Sequence, residues 1–322
     1  MVAAMHFPCK TFPAFRMLLP VLAFVPIYAQ STQSPANFRA SAELVLVPVT
    51  VTDHNGKTVQ GLQADNFKLL EDQVTQKIVS FSGDDAPCSV GLILDTSGSM
   101  RDLLGATKEI AHAFLGTANP QDEFMLLTVS TQPDAVSAFT VDIPTLEKSI
   151  QLTSAGGFTA LIDTIYLGLN RMRVSKHPRR ALLILSDGID NHSRYSKSEL
   201  VRVALEADVQ IYTIIFDNPA AVPTTVPFVP AMIRKGGGTA GVQPPGSLLE
   251  DLSDKTGGIH FRVRNAAEAE QTAEKIGRAI RAEYVIGYQP ANSLLTGKWH
   301  RIRVKSDVPH VSVYARNGYY AP

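Results

Sequence analysis

Between residues 88 and 282 short, mostly apolar runs alternate with amphipathic ones, and this alternation limits the fold more than any other feature. The apolar runs are SVGLIL (89–94), FMLLTVS (124–130), AVSAF (135–139), ALLIL (181–185), VQIYTIIF (209–216) and IHFRV (259–263). Helical periodicity falls at about 101–117, 145–152, 160–174, 197–207, 247–256 and 266–282. Strands this uniformly apolar need a sheet covered on both faces. Strand–helix alternation supplies that cover through right-handed crossovers, so the expected class is α/β, a doubly wound, mostly parallel sheet. Residues 218–246 break the pattern; rich in Pro and Gly and without periodicity, they read as a long loop.

The flanks differ. ELVLVPVTVTD (43–53) alternates at period two and runs into Asn55-Gly56, a tight-turn signal. NFKLLED and QKIVSFS follow as two more strands around the turn-like EDQ. After 282, EYVIGYQP, WHRIRVKS and HVSVYARNGYY return to strand character. Either flank alone is too small to bury much. The simplest architecture joins 43–87 and 283–322 as one small β-sandwich-like domain, with 88–282 inserted between them.

Residues 1–29 carry Lys10 and Arg16, no acid, and then the apolar stretch MLLPVLAFVPIYA. This is the layout of a secretory signal, with the cut expected after Ala29 and a linker over 30–42. Thirteen apolar residues broken by Pro20 and Pro26 fall short of a membrane span, so the mature chain is expected to have none. The expected location is secreted or periplasmic. Cleavage leaves Cys88 as the lone cysteine, beside an apolar run, which reads as a buried, inert thiol.

Thirty basic and thirty acidic side chains cancel, and no long basic stripe appears, so no nucleic-acid partner is expected. Two cysteines and histidines without ligand spacing give no support to zinc. Trp299 and the tyrosines at 284, 288, 314, 319 and 320 read as packing of the β flank. Asn191-His192-Ser193 fits a glycosylation sequon, a short and frequent pattern.

Oxygen donors gather at strand ends. Asp95, Ser97 and Ser99 follow the first apolar run; Thr159 follows Gly156-Gly157 and opens a helix; Asp187-Gly188 ends ALLILS. Ligands of doubly wound sheets bind at such carboxyl ends. An all-oxygen set selects a hard divalent cation, Mg²⁺ first, with Mn²⁺ or Ca²⁺ as the other choices. Three neutral hydroxyls leave such an ion under-neutralised, which favours an acidic side chain of a protein partner as the outside ligand. Taken singly, each residue also fits a helix cap or a turn. Asp163 reads as either a supporting residue or a solvated one; Asp102 and Asp190 read as rim residues.

In these residues the chain resembles the von Willebrand factor A family, whose pattern is Asp-x-Ser-x-Ser, a distant Thr and a distant Asp often followed by Gly. The resemblance covers about 88–282 and implies a Rossmann-like fold with a metal-ion-dependent adhesion site at Asp95, Ser97, Ser99, Thr159 and Asp187. In the family the hydroxyls usually touch the metal and the Asp residues often act through water. The flanking stretches VTDHNGKTVQGL, NFKLLEDQVTQKIVSF and ARNGYY are similar to bacterial secreted proteins related to that family.

The expected function is a secreted, metal-dependent, adhesion-type protein-binding module. A metal-independent scaffold subunit of an envelope complex is the alternative, and a hydrolase or phosphotransfer enzyme the weaker one. No phosphate-cradling loop, no nucleophile elbow and no general base near the site appear, so neither an enzyme nor a small-molecule substrate is expected.

Overall fold

A computed structural model of the protein describes residues 44–83, 85–217, 244–290 and 297–321. All belong to one unit, Ala42–Pro322. The expected leader and its cut, the linker, and residues 218–243 of the expected long loop lie outside the described residues.

Six strands form the central sheet: β5 (Cys88–Asp95), β6 (Glu123–Val129), β7 (Asp134–Ala135), β8 (Arg179–Ser186), β9 (Gln210–Phe216) and β10 (His260–Val263). Their order is β10-β9-β8-β5-β6-β7, and all pairs except β6–β7 are parallel. Side chains of β5 alternate between two cores. Val90, Leu92 and Leu94 pack with α1 (Leu104–Leu115) and α6 (Ala266–Arg281), while Ile93 packs on the other face with α3 (Leu161–Arg171), α4 (Lys197–Glu206) and α5 (Ser247–Thr256). Both faces are covered, which is why every residue of β5 is buried.

Helix starts follow local chemistry. Asp142 caps α2 (Ile143–Leu152) by accepting from Thr145 N, and Ser196 and Glu199 form a reciprocal cap on α4. α1 begins at Leu104, later than periodicity suggests, because Gly98–Met100 make a separate 3₁₀ turn. The run AVSAF is not a regular strand: only Asp134–Ala135 pair with β6, antiparallel. Beyond them the Ser137 hydroxyl accepts from Leu126 N at 2.9 Å, so a side chain replaces a ladder carbonyl and the edge becomes irregular.

The flanks build two four-stranded antiparallel sheets. One has the order β13-β1-β11-β4, from Val311–Ala315, Val45–Asp53, Tyr284–Tyr288 and Ile78–Ser82. The other has the order β14-β12-β2-β3, from Gly318–Tyr320, Trp299–Ser306, Phe67–Glu71 and Val74–Gln76. Each mixes segments from both ends of the chain. The expected strand QKIVSFS is split: β3 pairs with β2, and after Lys77 the chain crosses to β11 as β4. Between β2 and β3, Asp72 and Gln73 adopt φ of 45° and 71°, the left-handed pair a two-residue hairpin needs. The sheets share a core in which Val47, Val49, Leu69, Ile286, Tyr288 and Ile302 are buried and Phe67, Phe81 and Tyr284 cluster. Tyr288 and Tyr319 both donate to Glu71, at 2.9 and 2.8 Å.

Sheet and flank meet at buried polar contacts. Arg179, at the start of β8, donates to the carbonyls of Arg281 and Glu283 at 2.9 and 2.8 Å. Cys88 is buried nearby, and burial with the Asp122 carboxylate pushes its thiol pKa up. Glu283 is only 3% exposed, and burial pushes its carboxyl from 4.5 up to about 8 against the pull of Arg179. The folded state therefore keeps a proton that the unfolded chain releases, and stability is lost as pH rises through that window. Glu283→Gln is expected to lose less stability than the parent between about pH 5 and pH 8. Denaturation midpoints at both pH values check this, and equal losses would refute it. Asp95 titrates with the same sign in both proteins, so the difference between them isolates Glu283.

Candidate metal site

From β5 the chain crosses to β6 on one side, then returns to β8 on the other. The crevice beyond the carboxyl ends of β5 and β8 is therefore the point where strand order reverses. Asp95 is the last residue of β5, and Ser186 the last of β8.

Asp95 is fully buried. Its Oδ2 accepts from Ser186 Oγ at 2.6 Å and its Oδ1 from Ser97 N at 3.0 Å. Burial raises its pKa to about 6; the bonds from Ser186 and Ser97 oppose that rise, and the Asp187 charge adds to it. Ser97 is extended, at φ −65° and ψ 169°, and leads into the 3₁₀ turn; its Oγ lies 3.1 Å from Ser99 Oγ. Three of the five expected ligands thus share one loop.

Backbone bonds sew this loop to the next. Gly98 N donates to Gly157 O at 3.1 Å, and Gly156 N to Thr96 O at 2.8 Å. Gly157 has φ +79°, and a Cβ there would sit 2.5 Å from Thr131 Oγ1, so both conformation and space require glycine. Thr159 follows, 2% exposed. Its N donates to Asn191 Oδ1 at 2.9 Å, and its carbonyl accepts from Asn191 N and His192 N at 3.0 and 3.1 Å. Thr159 is thereby tied to the third loop.

That loop opens with Asp187, 1% exposed. Its Oδ1 accepts from Ile189 N at 3.1 Å, while its Oδ2 is buried without a hydrogen-bond partner among the described residues. The Ser186 hydroxyl that donates to Asp95 also accepts from Gly188 N at 2.9 Å. Ser186 therefore links the Asp95 and Asp187 loops, a role its sequence context, a polar residue closing an apolar run, signals weakly.

Asp190 and Asp163 do more than line a rim. Asp190 Oδ1 accepts from Ile162 N at 3.2 Å and from the Ser193 hydroxyl. Asp163 is 8% exposed and accepts from Arg194 N and Tyr195 N at 2.9 and 3.0 Å. Together they pin residues 190–195 to the start of α3. Asn191, read from sequence only as a sequon, holds Thr159. At the mouth, Phe158 is 59% exposed and stacks on His192 with centroids 5.0 Å apart.

The donor set suits a hard cation. A buried carboxylate oxygen left unpartnered costs on the order of 1–3 kcal/mol or more, and a cation removes that penalty. Among the described residues no three His, Cys, Asp or Glu side chains cluster, so what these loops offer is two carboxylates with hydroxyls. Such a set matches the oxygen chemistry of Mg²⁺ or its hard relatives.

A doubly wound sheet with oxygen-bearing loops at its switch point defines a class of α/β domain. Residues 90–189 match the von Willebrand factor type A domain model. An uncharacterized protein of Borreliella burgdorferi is 25% identical over 190 residues, covering 56% of this chain and 55% of that protein. The chain therefore spans about half the length of the curated relative it matches. Among solved structures, the von Willebrand factor type A protein from Catenulispora acidiphila aligns with a TM-score of 0.50 at 12% identity, over 88% of this chain and 65% of that one. The conserved hypothetical protein BatB from Bacteroides thetaiotaomicron aligns at 0.47 and 19% identity, over 60% and 98%. These likenesses concern the fold.

Gly188 tests how tightly the third loop is set. It has φ +73°, and a Cβ would lie 2.3 Å from Gly246 Cα. Gly188→Ala is expected to lower stability by about 2 kcal/mol or more, since strain and a backbone clash add. Gly105→Ala, exposed in α1 with open space around it, is expected to be neutral or to stabilise by up to about 1 kcal/mol. Urea midpoints measure both, and equal midpoints for the two variants would contradict the loop geometry.

Proposed function

We propose that the chain is an exported, divalent-cation-dependent protein-binding module of the adhesion type. The buried, unpartnered Asp187 Oδ2, on a side chain whose charge acts on Asp95, is the observation that carries this reading. Ser97, Ser99 and Thr159 would supply neutral oxygens to Mg²⁺, with Asp95 and Asp187 acting directly or through water. The bound cation would supply an electrophilic point for an acidic side chain of a partner. Asp95 keeps its loop folded by accepting from Ser97 N, and Ser186 keeps Asp95 oriented. Phe158 and His192 present an aromatic edge beside that point.

A binding role, not catalysis, fits these groups. The candidate donors are hydroxyls and two carboxylates already engaged in holding loops, and no histidine base stands among them. No helix of the described residues is long and apolar enough to cross a membrane. Export rests on the amino-terminal charge and apolar pattern.

Calorimetric titration with Mg²⁺ tests the site. Asp95→Ala and Ser99→Ala are each expected to weaken Mg²⁺ binding roughly tenfold or more with unchanged far-UV circular dichroism. Unchanged affinity in both would remove the assignment. Pull-downs from extracellular or envelope extract with Mg²⁺ and then EDTA separate the roles; a complex that survives EDTA would favour a metal-independent scaffold.

A further inference from the structure

The flanking sandwich carries a second surface, away from the cation loops. Strand β12 points Ile302 and Val304 into the core and turns Trp299, Arg301, Arg303 and Lys305 to the other side. Outward side chains on a strand recur every ~6.8 Å, so three cations form an evenly spaced row. The register sets Lys305 opposite Lys68 on β2, and both are exposed. Like charges directly opposite on neighbouring strands repel, and a bound anion would relieve that repulsion. Arg301, Arg303, Lys305 and Lys68 make no ion pair with a described residue.

The row borders a groove of about 580 Å³, lined by Lys255, Trp299, Arg301, Arg303, Arg316 and Tyr320 among others. No carboxylate of the described residues lines it. Lys255 and Arg316 are held by Asp251 and Asp208, outside the groove. Asp72, in the β2–β3 turn, is engaged by Arg301 N and His300 Nδ1 at 2.9 Å each. The Arg301 charge also acts on Asp72, but neither the Arg301 nor the Arg303 guanidinium makes an ion pair with a described residue. At one end Trp299 and Tyr320 pair in register with ring centroids 5.0 Å apart, and Tyr320 is 40% exposed. Gly318 makes room for this pair, since a Cβ there would lie 2.5 Å from the Trp299 ring.

We propose that this groove binds an acidic glycan, with carboxylates on Arg301 and Arg303 and a sugar ring against Tyr320. Planar guanidinium groups match carboxylates in bidentate fashion, and an aromatic face accepts the apolar face of a pyranose. A concave groove does not seat on a flat bilayer. One pair of rings tilted at 62° is not a platform for successive stacked bases. An acidic peptide would use the cations and leave the aromatic pair idle.

The test measures binding of the full chain to polygalacturonate at low salt, beside neutral dextran, poly-glutamate, oligo-dT and phosphatidylglycerol vesicles. Polygalacturonate is expected to bind, and to bind best. Arg301→Ser with Arg303→Ser should weaken it at least tenfold, and Tyr320→Ser severalfold; these residues are exposed, and matched thermal melts confirm folding. Added salt should weaken binding. EDTA should leave it unchanged, which keeps the outcome independent of the cation site. The proposal is overturned by an absence of polygalacturonate binding, by an undiminished double variant, by equal or tighter binding of any other probe, or by loss of binding in EDTA.

Discussion

The hydrogen bond from Ser186 Oγ to Asp95 Oδ2, 2.6 Å long and buried, is the interaction on which the rest of the site depends. A carboxylate at the end of an apolar strand loses its hydration, and burial alone would drive it toward the neutral acid. Two donors, Ser186 Oγ and Ser97 N, hold part of that tendency back. Bonds to a charged group are worth roughly 1.5–3 kcal/mol each, enough to hold the side chain in one orientation. The same Ser186 hydroxyl accepts from Gly188 N, so one side chain registers the end of β5 against the turn after β8. Without it, Asp95 and Asp187 would still lie at the ends of adjacent strands but would lose their common anchor.

Backbone ties add to the side-chain ones, and glycine appears among them. Gly98–Gly157 and Gly156–Thr96 bonds draw two loops into contact. Positive φ at Gly157 and Gly188 turns each loop so that the next residues, Thr159 and Ile189, meet their partners. Among the described residues, Asp187 Oδ2 is the one buried side-chain polar atom of these loops without a hydrogen-bond partner. An unmatched polar group inside an otherwise matched network is what the proposed cation would satisfy.

Much of this was legible in the sequence because the donors sit where an apolar run stops. Asp95 follows an apolar run directly, Asp187 follows another after Ser186, and hydroxyls follow Asp95 at loop spacing. The supporting residues were hidden because their partners are remote: Asp190 meets Ile162, Asn191 meets Thr159, and Asp163 meets Arg194 across separations that no local pattern encodes. The sheet was legible for the same reason as the site, since uniform apolarity admits only a strand buried on both faces. The edge near 134–140 was not, because a side-chain bond from Leu126 N to Ser137 replaces the ladder there. Nor was the crossing at Lys77, since period-two alternation continues unchanged when a chain passes from one sheet to another.

The insertion has an energetic consequence that binds the two parts together. β1 lies between β11 and β13, so a strand from before the inserted domain completes its ladder only with strands from after it. Val47, Val49, Ile286 and Ile302, each nearly or fully buried in that shared core, would be exposed if either end were removed. Burying each such side chain contributes about 1.5–3 kcal/mol, so closing the sandwich also holds the ends of the α/β domain together. Arg179 acts at this junction, reaching from the base of β8 to the carbonyls of Arg281 and Glu283 where α6 hands over to β11. The formal charge of zero covers an uneven distribution: Asp95 and Asp187 are buried at one end of the central sheet, and Arg301, Arg303 and Lys305 lie exposed on the sandwich, without an ion pair among the described residues.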